Sequence, residues 1–99
     1  MPKGYWIAHV TVTDPEAYAR YREANAAAFA RYGARFLVRG GAWQMAEGTL
    51  EGERHVVIEF PSYDAALACW NSPEYAAARA ERAEAGRAAI LIVEGNDPD

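Results

Sequence analysis

The chain has 99 residues, of which 52% are hydrophobic and 12% aromatic, and 10 basic against 14 acidic residues give a formal charge of -4. This length allows one domain with a modest core, which self-association would enlarge. The acidic balance, without a run of Lys and Arg, argues against a nucleic-acid partner. No apolar stretch reaches the roughly 18–20 residues that span a bilayer, and we expect neither membrane association nor a signal peptide. The single cysteine, Cys69, excludes an internal disulfide and a zinc cluster and favours a cytoplasmic location.

The first third of the chain predicts a strand followed by a helix. Residues 5–13 are rich in aromatic and β-branched types, which favours a strand. Asp14, Pro15 and Glu16 are typical of a helix N-terminus, because Asp accepts the free amide protons and Pro suits the first turn. We expect the helix to end at Gly33 and to bury one stripe of side chains. The stripe consists of Tyr18, Tyr21, Asn25, Ala28, Phe29 and Tyr32.

The middle of the chain predicts a β-hairpin. A second strand is predicted over residues 35–45, interrupted by Gly40 and Gly41, which indicate a bulge or a sharp bend. Residues 47–53 contain two glycines and three acids and are typical of a hairpin loop. Residues 54–60 predict the third strand.

The last third predicts a broken helix and a buried strand. Ser62 is a suitable cap for a second helix, and the Ser-Pro-Glu pattern at residues 72–74 predicts that this helix breaks and restarts. The break should turn Tyr75 toward the body of the protein, and the restarted helix should run to Ala85. Residues 88–94 are continuously apolar, which predicts a strand that is buried on both faces.

The order β-α-β-β-α-β is that of the ferredoxin-like fold, of the α+β class. Right-handed crossovers place both helical segments on one face of a four-stranded antiparallel sheet, so that the other face is bare. We expect residues 1–95 to form this single domain and residues 96–99 to be a flexible tail.

The bare face carries a mixture of apolar and polar side chains. Strand alternation assigns Tyr5 and His9 to it. If the hairpin turns near Thr49, Arg39 lies opposite Glu59 on the same face. A second copy of the sheet would cover such a face, which predicts a homodimer with a partly polar cavity between the two sheets.

Four segments of the chain, in this order over residues 3–95, resemble a known family: KGYWIAHVTVTDPEAYARY, GARFLVRGG, RHVVIEFPSYDAALACWNSPEY and ILIVEG. Together they resemble the bacterial domain-of-unknown-function family 1330 of the dimeric α/β-barrel superfamily. The resemblance implies a ferredoxin-like protomer that forms a dimeric α/β barrel, and it implies no established activity. Better-known members of the superfamily include cofactor-free monooxygenases, haem-degrading enzymes and a lactone isomerase, and this chain carries no complete signature of any of them.

Two functions from different classes stay open. The first is a cofactor-independent enzyme for a small anionic or carbonyl compound, in which Arg39 orients the substrate and His9 or Glu59 moves a proton. Further substrate-binding residues would be Tyr5, Asn25 and Trp43. The second is a non-catalytic small-ligand-binding or stress-linked module. We predict no cofactor and no metal.

Several candidate residues also have other interpretations, most of them structural. Arg39 and Glu59 would then form a cross-strand salt bridge, and His9 would be a hydrogen-bonded structural residue. His9, His55 and Glu59 could form a two-His, one-carboxylate iron site, although His55 begins its strand and is expected near the rim. Asn25 could bind a strand end rather than line the cavity entrance.

Overall fold

The computed structural model describes residues 2–96 and shows a four-stranded antiparallel sheet with three helices on one face. The strands β1 (Gly4–Val12), β2 (Arg35–Arg39), β3 (Arg54–Phe60) and β4 (Gly86–Glu94) lie in the order β2-β3-β1-β4, which confirms the ferredoxin-like α+β fold. In residues 2–96 no helix is both long and apolar enough to cross a bilayer. Residues 97–99 of the expected tail lie outside the described residues. The helices are α1 (Pro15–Arg31), α2 (Tyr63–Trp70) and α3 (Pro73–Arg82).

The predicted helix boundaries rest on hydrogen bonds that the structure shows. The Asp14 carboxylate accepts the backbone N–H groups of Glu16 and Ala17 at 3.1 and 3.2 Å, so it satisfies two free donors at the start of α1. Gly33 follows the helix with a φ of 71°, the left-handed conformation expected of a glycine after a helix C-terminus.

The break between α2 and α3 is confirmed. The Ser72 hydroxyl accepts the backbone N–H of Tyr75 at 3.0 Å, and Pro73 begins α3. The new helix direction carries Tyr75 into the core, where it is fully buried. Its hydroxyl shares a 2.8 Å hydrogen bond with that of Tyr21, and burial raises the pKa of both phenols.

Trp6 stands at the centre of the core and is only 1% exposed. Its indole N–H donates to the backbone oxygen of Ala66 at 2.9 Å. Four aromatic rings surround it, with centroids 4.9 to 5.8 Å away. They belong to Phe29, Phe60, Trp70 and Tyr75.

The strand β2 is shorter than predicted and contains an irregularity at a different place. It ends at Arg39 instead of residue 45, because Gly40 turns the chain with a φ of 73°. A bulge falls at Leu37, between the pairs Phe36–Ile58 and Val38–Val57, rather than at the paired glycines. The extra residue reverses the alternation of side chains for the rest of the strand.

This bulge makes the predicted pairing of Arg39 with Glu59 wrong. The residue opposite Glu59 is Arg35, and Arg39 lies opposite Val56, whose side chain is in the core. Simple alternation from Arg35 assigned Arg39 to the bare face, and the bulge moves it to the face that the helices cover.

The prediction that β4 is buried on both faces is wrong for the single chain. The strand begins at Gly86 and pairs only with β1, so it is an edge strand. Ile90 and Ile92 pack against the core, whereas Leu91 is 59% and Val93 38% exposed. The helices cover only one face of the sheet, so burial within the single chain does not account for the apolar residues on the other face.

The helix α3 ends at Arg82, before the predicted end at Ala85. The backbone oxygen of Ala85 accepts the N–H groups of Thr13 and Asp14 at 2.7 and 3.1 Å. Ala85 therefore belongs to the turn that ties the end of β1 to the start of β4.

Cys69 is fully buried in α2, and burial raises the pKa of its thiol to about 12. We expect the native protein to react with a thiol reagent at pH 8 at least ~1,000-fold more slowly than a free cysteine, because the thiolate is the reactive form. The reaction should become fast when the protein is unfolded in guanidinium. The absorbance of the thiol that the reagent releases measures the reaction. A fast reaction of the native protein would contradict the burial.

The cytoplasmic location stays a prediction.

Candidate functional site: an arginine-lined cavity between the sheet and α1

A cavity lies between the sheet and α1, on the face that the helices cover. Its volume is about 30 Å³, which is room for roughly two waters. The predicted cavity was between the sheets of two chains; the one described here lies on the opposite face of the sheet. Its apolar wall consists of Trp6, Ala8, Val10, Phe29, Phe36, Val56, Ile58 and Ile90.

Four arginine side chains complete the lining: Arg22 of α1, Arg39 of β2, Arg54 of β3 and Arg82 of α3. Within residues 2–96 the ion pairs join other arginines to acids, and these four have no carboxylate within ion-pair distance. The Nε atoms of Arg54 and Arg82 are buried without a hydrogen-bond partner. A buried donor without an acceptor destabilises the protein, so the site favours a ligand that supplies one.

Aromatic rings lie against three of these guanidinium groups. The Cζ atom of Arg39 lies 4.0 Å from the ring centroid of Phe36. Those of Arg54 and Arg82 lie 5.4 Å from the ring centroids of Tyr18 and Tyr21, respectively. Stacking of this kind stabilises a guanidinium group while its N–H groups stay available to a ligand.

Asn25 adds a neutral polar group to the cavity. It is 4% exposed, and its Oδ1 atom has no hydrogen-bond partner. It therefore does not bind a strand end through this atom, and it lines the cavity instead. Nearby, burial raises the pKa of Tyr21, which keeps the hydroxyl protonated at neutral pH.

The structure separates the residues that the sequence placed together. Arg39 and Asn25 line the cavity. Tyr5, His9 and Glu59 lie on the other face of the sheet, and Trp43 lies in the loop that follows β2. Because the sheet stands between the two sets, Arg39 does not share a site with His9 or Glu59 within one chain.

The open face has its own hydrogen bonds. The Tyr5 hydroxyl donates to Glu59 at 3.1 Å, and burial together with Glu59 raises the pKa of Tyr5. His9 and His55 share an Nδ1–Nδ1 hydrogen bond of 2.9 Å, and the Trp43 ring lies 4.6 Å from that of His55. The register puts the histidine pair four positions away from Glu59, so the iron-binding trio is not assembled. No three potential metal ligands cluster anywhere in residues 2–96.

Sequence reasoning missed three of the four cavity arginines. Arg54 shares strand parity with Val56 and Ile58, so alternation already indicated the helix face. Arg22 lies just off the buried stripe of α1, where a long side chain can reach back over apolar surface. Arg82 follows several alanines and carries no signal of its own, because only the packing of α3 on α1 brings it to the cavity.

Solved structures share this fold at low sequence identity. A protein of unknown function from Rhodopseudomonas palustris is 20% identical, with a TM-score of 0.78 over 98% of this chain and 85% of that one. A dimeric ferredoxin-like protein of unknown function from Thermobifida fusca is 18% identical, with a TM-score of 0.62 over 94% and 91% of the two chains. A proposed antibiotic biosynthesis monooxygenase from Caulobacter crescentus is 18% identical, with a TM-score of 0.58 over 97% and 92%.

No protein with a curated description matches this sequence. A family model matches residues 3–96, which is nearly the whole chain. The chain belongs to the family described as domain of unknown function DUF1330.

Proposed function

We propose that the protein binds a small organic carboxylate in the cavity between the sheet and α1. The observation that carries this proposal is the guanidinium group of Arg54, whose buried Nε has no partner while its side chain lines an apolar cavity. The planar fork of an arginine matches the two oxygens of a carboxylate. Although the whole chain has a charge of -4, four arginines surround this one site.

The size of the cavity limits the apolar part of the ligand. The space of about 30 Å³ is far below the roughly 150 Å³ that holds a benzene ring. An apolar body of one or two carbons, such as that of acetate or propionate, therefore fits better than a longer chain or an aromatic ring.

Binding is tested by isothermal titration calorimetry at low ionic strength with acetate, propionate, butyrate, hexanoate and benzoate. We expect acetate or propionate to bind most tightly, and Arg54→Gln to weaken this binding about 10- to 100-fold, since hydrogen bonds to charged groups contribute about 1.5–3 kcal/mol. The matched control is Arg20→Gln, which removes the same charge from an exposed arginine that pairs with Glu81.

Equal losses in Arg54→Gln and Arg20→Gln would show a general charge effect and contradict the proposal. Native mass spectrometry of freshly purified protein adds an independent measurement, because it reports both a retained ligand and the mass of the assembly.

We further propose that two chains pack open face to open face as a homodimer. Large apolar side chains are exposed there in the single chain, among them Val38, Leu91 and Val93. A water-exposed apolar patch of this kind is typical of an interface. The structural neighbour from Thermobifida fusca is described as dimeric. The cavity between the two sheets stays a prediction that depends on this dimer.

The dimer predicts that Leu91→Glu dissociates the protein. Leu91 is 59% exposed in the single chain, so the change should leave the protomer folded while it places a charge inside the interface. Sedimentation velocity at micromolar concentration should show a dimer for the wild type and a dissociation constant raised at least ~10-fold for the variant. Ala77→Glu, on the exposed side of α3, is the control and should stay dimeric. A monomeric wild type would refute the dimer.

A further inference from the structure

The turn that ends β2 forms part of the wall around Arg54. Gly40 adopts a φ of 73°, and its N–H donates to the backbone oxygen of His55 at 3.0 Å. This bond holds the turn against the start of β3, next to the residue that carries the guanidinium group.

The Arg54 head group occupies the space that a side chain at Gly40 would need. A Cβ atom at Gly40 would collide with Nη1 of Arg54 and would lie 2.8 Å from its Cζ and 3.3 Å from its Nη2. The ring of Tyr18 contacts the same guanidinium group, at 5.4 Å from centroid to Cζ. The head group is thus confined between the bare backbone of Gly40 and an aromatic ring, with its Nε buried and unpartnered.

We infer that Gly40 is a positioning residue for carboxylate binding, an inference that rests on the proposed function. Arg54 is the primary contact of the carboxylate, and the missing side chain at Gly40 allows the guanidinium group to stay at the cavity. A side chain at this position would displace Arg54 and leave the cavity with its apolar wall but without its main anion contact.

The chain provides matched controls for a test of this role. Gly48 has a similar φ of 83° with no atom within 4 Å of a Cβ, and Gly41 has open space around it as well. Gly48→Ala therefore introduces the same backbone strain without touching Arg54, and Gly41→Ala introduces neither strain nor contact. Gly40→Asn is a second variant at the site itself, because Asn tolerates a positive φ while its Cβ still meets Arg54.

Calorimetry with propionate, or with whichever acid of the series binds most tightly, measures the effect. We expect Gly40→Ala and Gly40→Asn to raise the dissociation constant about 10-fold or more, as expected when a charged hydrogen bond is lost. Gly48→Ala and Gly41→Ala should match the wild type. Melting temperatures should fall by similar amounts in Gly40→Ala and Gly48→Ala, which separates the binding loss from backbone strain.

A double-mutant cycle shows whether Gly40 acts through Arg54. In the Arg54→Gln background, Gly40→Ala should cause no further loss of affinity. Two results would overturn this inference and leave the proposed function standing, provided that the wild type binds. One is an unchanged affinity in both Gly40 variants, and the other is a loss of affinity from Gly40→Ala that is the same with and without Arg54. Absence of wild-type binding to every acid of the series would overturn the proposed function and this role together.

Discussion

Replacing Trp6 with alanine is expected to remove a large part of the free energy of unfolding. The indole is 1% exposed and contacts four aromatic rings, so its truncation opens a large cavity in the only core of the described chain. Such a change typically destabilises a protein by about 3–5 kcal/mol. The backbone oxygen of Ala66 also loses its donor. The expected loss is a large part of the total free energy of unfolding, which is about 5–15 kcal/mol for a small domain.

Trp6→Phe is the informative control. It keeps an aromatic ring in the cluster and removes the hydrogen bond to Ala66, so we expect a loss of about 1–3 kcal/mol. Urea denaturation followed by circular dichroism at one fixed protein concentration measures both variants, since dimer stability depends on concentration. A Trp6→Ala protein as stable as Trp6→Phe would show that the ring cluster contributes little.

Gly86→Ala is expected to have the second largest effect. Gly86 has a φ of 155°, and a Cβ there would collide with the backbone oxygen of Thr11 and lie 3.0 Å from its carbonyl carbon. Neither backbone atom can move without separating β4 from β1, because Gly86 is paired with Val12 in the sheet. Backbone strain and steric overlap together should cost about 2–5 kcal/mol.

Thermal unfolding measures the loss at Gly86 as a fall in melting temperature of roughly 10–30 °C. The control is Gly41→Ala, at which a new Cβ meets no atom within 4 Å. A melting temperature for Gly86→Ala within a few degrees of the control would mean that the start of β4 can shift away from β1 at little cost.

Local chemistry made much of the fold predictable. Each of two helix starts is predicted by a few neighbouring residues, namely a capping residue, Asp14 or Ser72, and the proline that follows it. The structure confirms both starts. Alternation in β1 and β3 likewise separated buried from half-buried side chains, because neither strand is interrupted. The order of these elements then determined the topology.

The candidate site was less predictable because it depends on long-range geometry. The register of β2 on β3 includes a bulge at Leu37, a residue with no unusual local sequence, whereas the glycines that suggested a bulge form the turn instead. The predicted face of Arg39 was therefore wrong, and its contact with a ligand stays a prediction. The contribution of Arg82 depends on how α3 crosses α1, which a single sequence does not encode locally.

The bulge at Leu37 links two properties of β2 that would otherwise be independent. Beyond it, Val38 belongs to the open face and Arg39 to the cavity. If β2 paired regularly, with Leu37 opposite Val57, the two side chains would exchange faces: Arg39 would lie on the apolar face and Val38 at the cavity. A one-residue insertion or deletion that shifts the residues beyond the bulge should therefore change the cavity and the open face in the same step, whereas deletion of Leu37 itself should leave Val38 and Arg39 on their present faces.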